Sequence, residues 1–224
     1  VYAWLLGAAL TWIERVGVDG YRLDAVRHVP SSFWSRFNAD LRAAAGEDFL
    51  LLGELFDGDP LAVAEAWRSG GFGAMFDFPL HYAMVDVFCR DASPGRIASV
   101  LSADRHYDAP ERLVTFVDNH DLPRIATACG GDLERVEQLL VFLGTARGEP
   151  VLSWGTELPL EGAAEPANRG DMDWEAEQRL GPLLREVIGA RPRLPPTSHV
   201  LELEDRTLRY VRGGRVEVLV QDGR

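Results

Sequence analysis

Lysine is missing from this sequence: all 23 basic residues are arginine. We read that as drift in composition rather than as chemistry. Only two cysteines occur, Cys89 and Cys129, which excludes a disulfide framework and a four-ligand zinc site of the cysteine type. They read as small core residues, compatible with a reduced compartment. No run of 18 apolar residues and no signal-peptide pattern appears, so no membrane partner is expected. The formal net charge of −12 comes with no basic block, which argues against nucleic acid or an anionic membrane as partner. Internal repeats and low-complexity segments are lacking as well. What remains is a chain of 224 residues, 46% hydrophobic and 26% charged, able to bury the core of one or two domains. Its first residue is Val1, inside a helical pattern, so a fragment is expected.

The most informative stretch is Gly20-Tyr21-Arg22-Leu23-Asp24-Ala25-Val26-Arg27-His28. A short extended run ends here in a carboxylate, followed by two groups able to grip a polar ligand. Strand side chains repeat with period two, so Arg22 and Asp24 share one face. An arginine beside a carboxylate favours its charged form, as a nucleophile needs and as a structural ion pair also gives. Spacing leaves both readings open.

Along the chain, Tyr2 to Val16 carries a helical apolar stripe of Trp4, Leu5, Ala8, Ala9, Trp12, Ile13 and Val16, closed by Gly17. Val18 to Leu23 reads as a strand. A second helix is expected from Ser32 to about Ala45, with Phe33, Phe37, Leu41 and Ala44 on one side. Phe49 to Gly53 is a buried strand ending at Glu54. Asp59 as cap and Pro60 at the first helical position start a helix to about Arg68. A strand over Ala74 to Phe78, helices over Leu80 to Cys89 and Pro94 to Ala103, and a strand over Leu113 to Val117 continue the alternation. A helix from Asp132 to Ala146, a strand from Pro150 to Trp154 and a last long helix from Glu175 to Ile188 complete it. Such alternation indicates an α/β fold with a parallel sheet. After a boundary between Ala190 and Pro196, the segments Val200 to Leu203, Leu208 to Arg212 and Val216 to Gln221 read as antiparallel β, with turns at Glu204-Asp205 and Gly213-Gly214.

Three carboxylates, Asp24, Glu54 and Asp121, lie at or just beyond the C-terminal ends of separate expected strands, where parallel α/β folds place their sites. Such a trio suits glycosidic-bond chemistry: one carboxylate attacks the anomeric carbon, one acid protonates the leaving oxygen, and a third group steadies an oxocarbenium-like transition state. In a retaining mechanism, nucleophile and acid stand about 5 to 5.5 Å apart, a spacing that neighbouring strands can supply.

Three regions in order resemble the α-amylase family of glycoside hydrolases. Gly20 to His28 is similar to the family's nucleophile region, Gly53-Glu54-Leu55-Phe56-Asp57-Gly58-Asp59-Pro60 to its acid/base region, and Phe116-Val117-Asp118-Asn119-His120-Asp121 to its third carboxylate region. Pro150 to Glu157 resembles the eighth barrel strand. The resemblance implies Asp24 as nucleophile, Glu54 as general acid/base and Asp121 as transition-state stabiliser. It also implies Arg22 as the residue that orients Asp24, His120 as a donor to sugar hydroxyls, and Arg27 with His28 along the leaving-group side. Arg27 stands where the family usually has lysine, which keeps the charge and widens the donor fork.

The implied fold is part of a (β/α)8 TIM barrel, strands four to eight, over residues 1–192, followed by a short antiparallel β segment over 193–224. Barrels of this type take about 250 residues, and nothing here resembles the first three strands or the small inserted domain. The chain alone is therefore expected to be inactive. No cofactor is required. Calcium is possible in the full-length protein, with the backbone carbonyl of His28 as one ligand. The implied partner is an α-glucan or maltooligosaccharide substrate. An α-glucan transglycosylase on the same scaffold and a non-catalytic carbohydrate-binding relative are the rivals.

Each residue also has a structural reading. Asp121 can cap a helix starting at Leu122-Pro123. His28 and His120 can be core histidines. Arg124 can hold Asp121 by a salt bridge or touch sugar. Glu157 reads as structural, and Trp34, Trp67 and Trp154 as core rather than as platforms for sugar rings.

Overall fold

The structure, a computed structural model, describes residues 1–194, 198–204, 207–212 and 216–221. The chain forms two compact units, Val1–Phe78 and Pro79–Arg224.

In the first unit, α1 (Tyr2–Val16) ends at Gly17, whose φ of 70° is one that side chains disfavour and glycine accepts freely. Its apolar stripe is not buried: Trp4, Trp12 and Val16 stand exposed, and no residue of the helix is fully covered. Tyr2 anchors the helix, its hydroxyl donating to Asp40 Oδ2 at 2.6 Å and its ring meeting Phe33 edge-on.

Strand β1 (Gly20–Leu23) pairs in parallel with β2 (Leu50–Gly53), and β2 with β3 (Ala74–Phe76). Between them run α2 (Ser31–Ala45) and α3 (Pro60–Gly70). The α2 face that is buried differs from the expected one: Trp34, Phe37, Asn38 and Leu41 turn inward while Ala44 is exposed. The indole of Trp34 fixes that rotation by donating to the Val26 carbonyl at 2.9 Å. Helix α3 starts as expected, Asp59 Oδ1 accepting from the Leu61 amide at 2.9 Å with proline in the first turn. Strand β3 is shorter than expected because Phe78 already opens the next helix.

The second unit contains α4 (Phe78–Cys89) from Pro79 onward, then α5 (Gly95–Ser102), β4 (Leu113–Phe116), α6 (Ile125–Ala128), α7 (Leu133–Thr145), β5 (Glu149–Val151) and α8 (Gly181–Ala190). Strands β4 and β5 pair in parallel. Leu80, Met84, Ile97, Val136, Leu139, Leu140, Phe142 and Leu143 are among the side chains of one continuous core.

The last helix starts six residues later than the periodicity suggests. Pro182 lacks an amide proton and is accepted only in a helix's first turn, so the helix begins at Gly181 rather than at Glu175. Cys89 and Cys129 are joined as a disulfide, not separate core residues; spacing of 40 residues gave no sign that the turns after α4 and α6 meet.

Strands β6 (Ser198–Glu204), β7 (Thr207–Arg212) and β8 (Val216–Gln221) form the expected antiparallel sheet. Tyr210 of β7 is buried against Phe142, its hydroxyl 3.0 Å from Thr145 Oγ1. The expected turn positions Asp205, Gly213 and Gly214 lie outside the described residues. Among the described residues, no helix is long and apolar enough to cross a membrane.

Candidate active site

The in-register pairing of β1 with β2 places two of the three candidate carboxylates, Asp24 and Glu54, side by side. Arg22 lies opposite Leu52 and Leu23 opposite Gly53, so the next residues, Asp24 and Glu54, leave adjacent strand ends together. The ladder continues one step past the strands, with the Glu54 amide donating to the Leu23 carbonyl and the Val26 amide to the Glu54 carbonyl, both at 3.0 Å. Gly53 lets this happen. A Cβ there would stand 2.6 Å from Met75 Sδ and 2.9 Å from Phe72 Cδ1.

Arg22 and Asp24 do share one face, as period two requires, with Nη1 2.7 Å from Asp24 Oδ1. The same guanidinium reaches across the ladder, its Nη2 donating to Glu54 Oε1. One planar fork thus bridges both carboxylates, a geometry a lysine ammonium does not offer. The two acids differ in environment: the Glu54 side chain is 7% exposed and that of Asp24 69%. This difference is a usual basis for giving two carboxyls two roles.

The turn after Asp24 is pinned from two sides. Ala25 takes a left-handed φ of 47°, and Val26 is held through its carbonyl by Trp34. Arg27 pairs with Asp57 Oδ2 at 2.9 Å, tying the loop after Asp24 to the loop after Glu54. His28 is exposed and, with Arg27, Trp34, Leu55, Ser69 and Phe72, lines a cavity of about 430 Å³; it is not a core histidine.

The second unit places Asp121 beyond β4, on the loop that also carries His120. Their side chains meet, His120 Nε2 lying 3.2 Å from Asp121 Oδ2, and both are partly exposed. Arg124 does not hold Asp121. It is buried and paired with Asp118, Nε to Oδ2 at 3.0 Å, with Nη2 on the Trp154 carbonyl at 2.6 Å. Nor does Asp121 cap the following helix: the Ile125 amide donates to Asp118 Oδ2 at 2.8 Å. Trp154 is 39% exposed, unlike the core residue expected.

Arg169, absent from the sequence reading, is the residue that holds Asp121, with Nη2 on Oδ1 at 2.8 Å and Nε on the His120 carbonyl at 3.0 Å. Its neighbour Asn168 is buried and donates to the carbonyls of His120 and Leu122. A partner 48 residues away leaves no local pattern; a polar Asn-Arg step in a loop rich in Ala, Glu and Pro was the available signal.

Among the described residues, no group of three or more His, Cys, Asp and Glu side chains is placed to hold a metal ion.

Parallel strands with acidic residues at their carboxyl ends, clasped by arginine, define an α/β protein with a carboxylate-based site. The chain belongs to the α-amylase family: the family model for the alpha amylase catalytic domain matches residues 2–182. A maltogenic alpha-amylase of Bacillus acidopullulyticus is 30% identical over 98% of this chain and 39% of its own length. A beta/alpha-amylase of Paenibacillus polymyxa is 36% identical over 76% of this chain and 14% of its own. Among solved structures, the alpha-amylase of Geobacillus thermoleovorans complexed with acarbose superposes with a TM-score of 0.86 at 32% identity, covering 94% of this chain and 49% of that one. The chain thus spans half or less of these relatives, and its fold class is the α/β, partial (β/α)8 barrel expected.

Proposed function

We propose that this chain supplies the carboxylate half of a retaining glycosidase acting on α-1,4-glucans within a longer protein. The observation that carries this is the Arg22 fork, which bridges an exposed Asp24 and a buried Glu54 on adjacent in-register strands. In the first step an Asp24 carboxylate oxygen attacks the anomeric carbon. Glu54, as the acid, gives its proton to the glycosidic oxygen as that bond breaks. In the second step the Glu54 carboxylate takes a proton from water, and the water oxygen displaces Asp24 from the same carbon. Two inversions give net retention. Asp121 offsets the positive charge that develops on the ring, with His120 donating to a sugar hydroxyl. Arg27 and His28 face the leaving-group side. Residues 1–192 are proposed as the barrel portion and 193–224 as the start of a separate β domain.

The barrel relatives are longer, so the 224-residue chain by itself is proposed to show no turnover. Calcium would bind the longer protein, with the His28 carbonyl as one donor, and no step depends on it; calorimetry on this chain tests that, since tight binding here would contradict a set completed elsewhere. The chemistry is tested by Glu54→Gln in the full-length protein. Turnover should vanish while glucan binding persists, and unchanged activity would remove Glu54 from the reaction. Products from maltoheptaose distinguish hydrolysis, which gives free reducing ends, from transfer, which gives longer chains.

A further inference from the structure

Two side chains on the loop after β5 converge on the third carboxylate. Arg169 donates to the Asp121 carboxylate at 2.8 Å and to the His120 carbonyl at 3.0 Å. Asn168, 2% exposed, donates to the His120 carbonyl at 2.9 Å and to the Leu122 carbonyl at 3.1 Å. The backbone on both sides of Asp121 is therefore fixed by one amide, and its side chain by the adjoining guanidinium. Arg124, the nearer cation in sequence, is committed to Asp118. His120 Nε2 lies 3.2 Å from Asp121 Oδ2, and Glu165 Oε1 lies 3.5 Å from Arg169 Nη1.

We propose that Asn168 and Arg169 form a positioning clamp that sets the placement of Asp121 for the transition state. The clamp rests on the role given to Asp121 under the proposed function. Arg169 acts through Asp121 and not on the sugar. The reason lies in the donor set: Nε and Nη2 are both already directed at the loop, and the remaining nitrogen, Nη1, faces Glu165. A bidentate fork that touches a carboxylate and the preceding carbonyl fixes position and orientation together, which a point charge does not. Misplacing a catalytic group by about 1 Å costs roughly 100-fold in rate.

The test uses the full-length enzyme and maltoheptaose. Arg169→Met keeps the stem and removes the fork; its kcat should fall roughly 100-fold with KM nearly unchanged. Arg169→Lys restores one charge and should recover part of that loss. Asn168→Ala should lower kcat in the same sense. Asp121→Asn is measured alongside, and so is its combination with Arg169→Met. If Arg169 works through Asp121, the second change costs nothing further once the carboxylate is gone. Full additivity of the two losses, or a raised KM with kcat intact, would mark Arg169 as an independent group and overturn the clamp. A normal kcat in Asp121→Asn alone would instead sink the role of Asp121, a separable failure. Should Arg169→Met also lower the melting temperature, the ratio of its kcat to that of the lysine variant still decides: equal values overturn the proposal.

Discussion

Arg124 and Asp118 form a buried ion pair, Nε to Oδ2 at 3.0 Å, with side chains 2% and 1% exposed. The pair sits three residues from Asp121 and yet serves the frame. Asp118 also caps α6 through the Ile125 amide and accepts from Ser153 Oγ at its carbonyl, while Arg124 holds the Trp154 carbonyl and its guanidinium lies 5.0 Å from the centre of the Trp154 ring. Breaking such a pair strands a charge in the interior, at about 3 to 5 kcal/mol. Arg124→Met and Asp118→Asn should each lower the denaturant midpoint steeply. A midpoint within experimental error of the parent would show that the pair contributes no stability.

Alanine in place of Gly53 is expected to destabilise the protein. The added methyl would lie inside the contact distance of both Met75 and Phe72, and overpacking of this kind costs about 1 to 3 kcal/mol. Because Glu54 follows directly, Gly53→Ala in the full-length protein should also lower kcat. Stability measured by urea titration together with steady-state rates checks both effects, and retention of both would contradict the close approach.

Histidine 81 makes stability depend on pH. Its ring stacks on Phe116 at 5.0 Å, and burial pushes its pKa from 6.5 down to about 4, with Arg90 acting in the same sense and hydrogen bonding to the backbone of Phe116 and Val117 and the charge of Asp86 opposing. Between those two values the unfolded chain binds a proton that the folded chain does not. Stability from this group is thus complete above pH 6.5 and is lost as pH falls towards 4, by at most about 3 kcal/mol. His81→Phe should flatten the stability profile in that window, and an unaltered slope would assign the dependence elsewhere.

Arg22 should resist replacement by lysine. An ammonium reaches Asp24 or Glu54 but does not hold both in a planar fork. In the full-length enzyme, Arg22→Lys is expected to reduce kcat roughly 10- to 100-fold and leave the fold intact by circular dichroism. Full activity in that variant would show that the bridge is dispensable.

Much of this was legible from residue order. Period two placed Arg22 beside Asp24, capping chemistry located the start of α3, and the position of carboxylates after apolar runs marked the strand ends. Other features depend on long-range neighbours. That Arg22 also reaches Glu54 follows from the strand register, which spacing does not carry. That Asp121 answers to Arg169 rather than Arg124 depends on a loop returning from 48 residues away. Helix α8 shows a different cause: the apolar rhythm ran through Gly181 and Pro182, and backbone geometry overrode it.

The register of β1 against β2 has one more consequence, for which lengths of chain can vary. Deleting Leu23 would make Arg22 and Asp24 consecutive and put them on opposite faces of the strand, and deleting Tyr21 would slide the pair one step against β2 and turn both side chains to the other face. The stretch from Gly20 to Asp24 is therefore closed to insertions and deletions, whereas the exposed surface loops have no such parity to keep. Over evolutionary time, length variation in this chain should collect in its loops, and the five residues that carry the arginine should stay five.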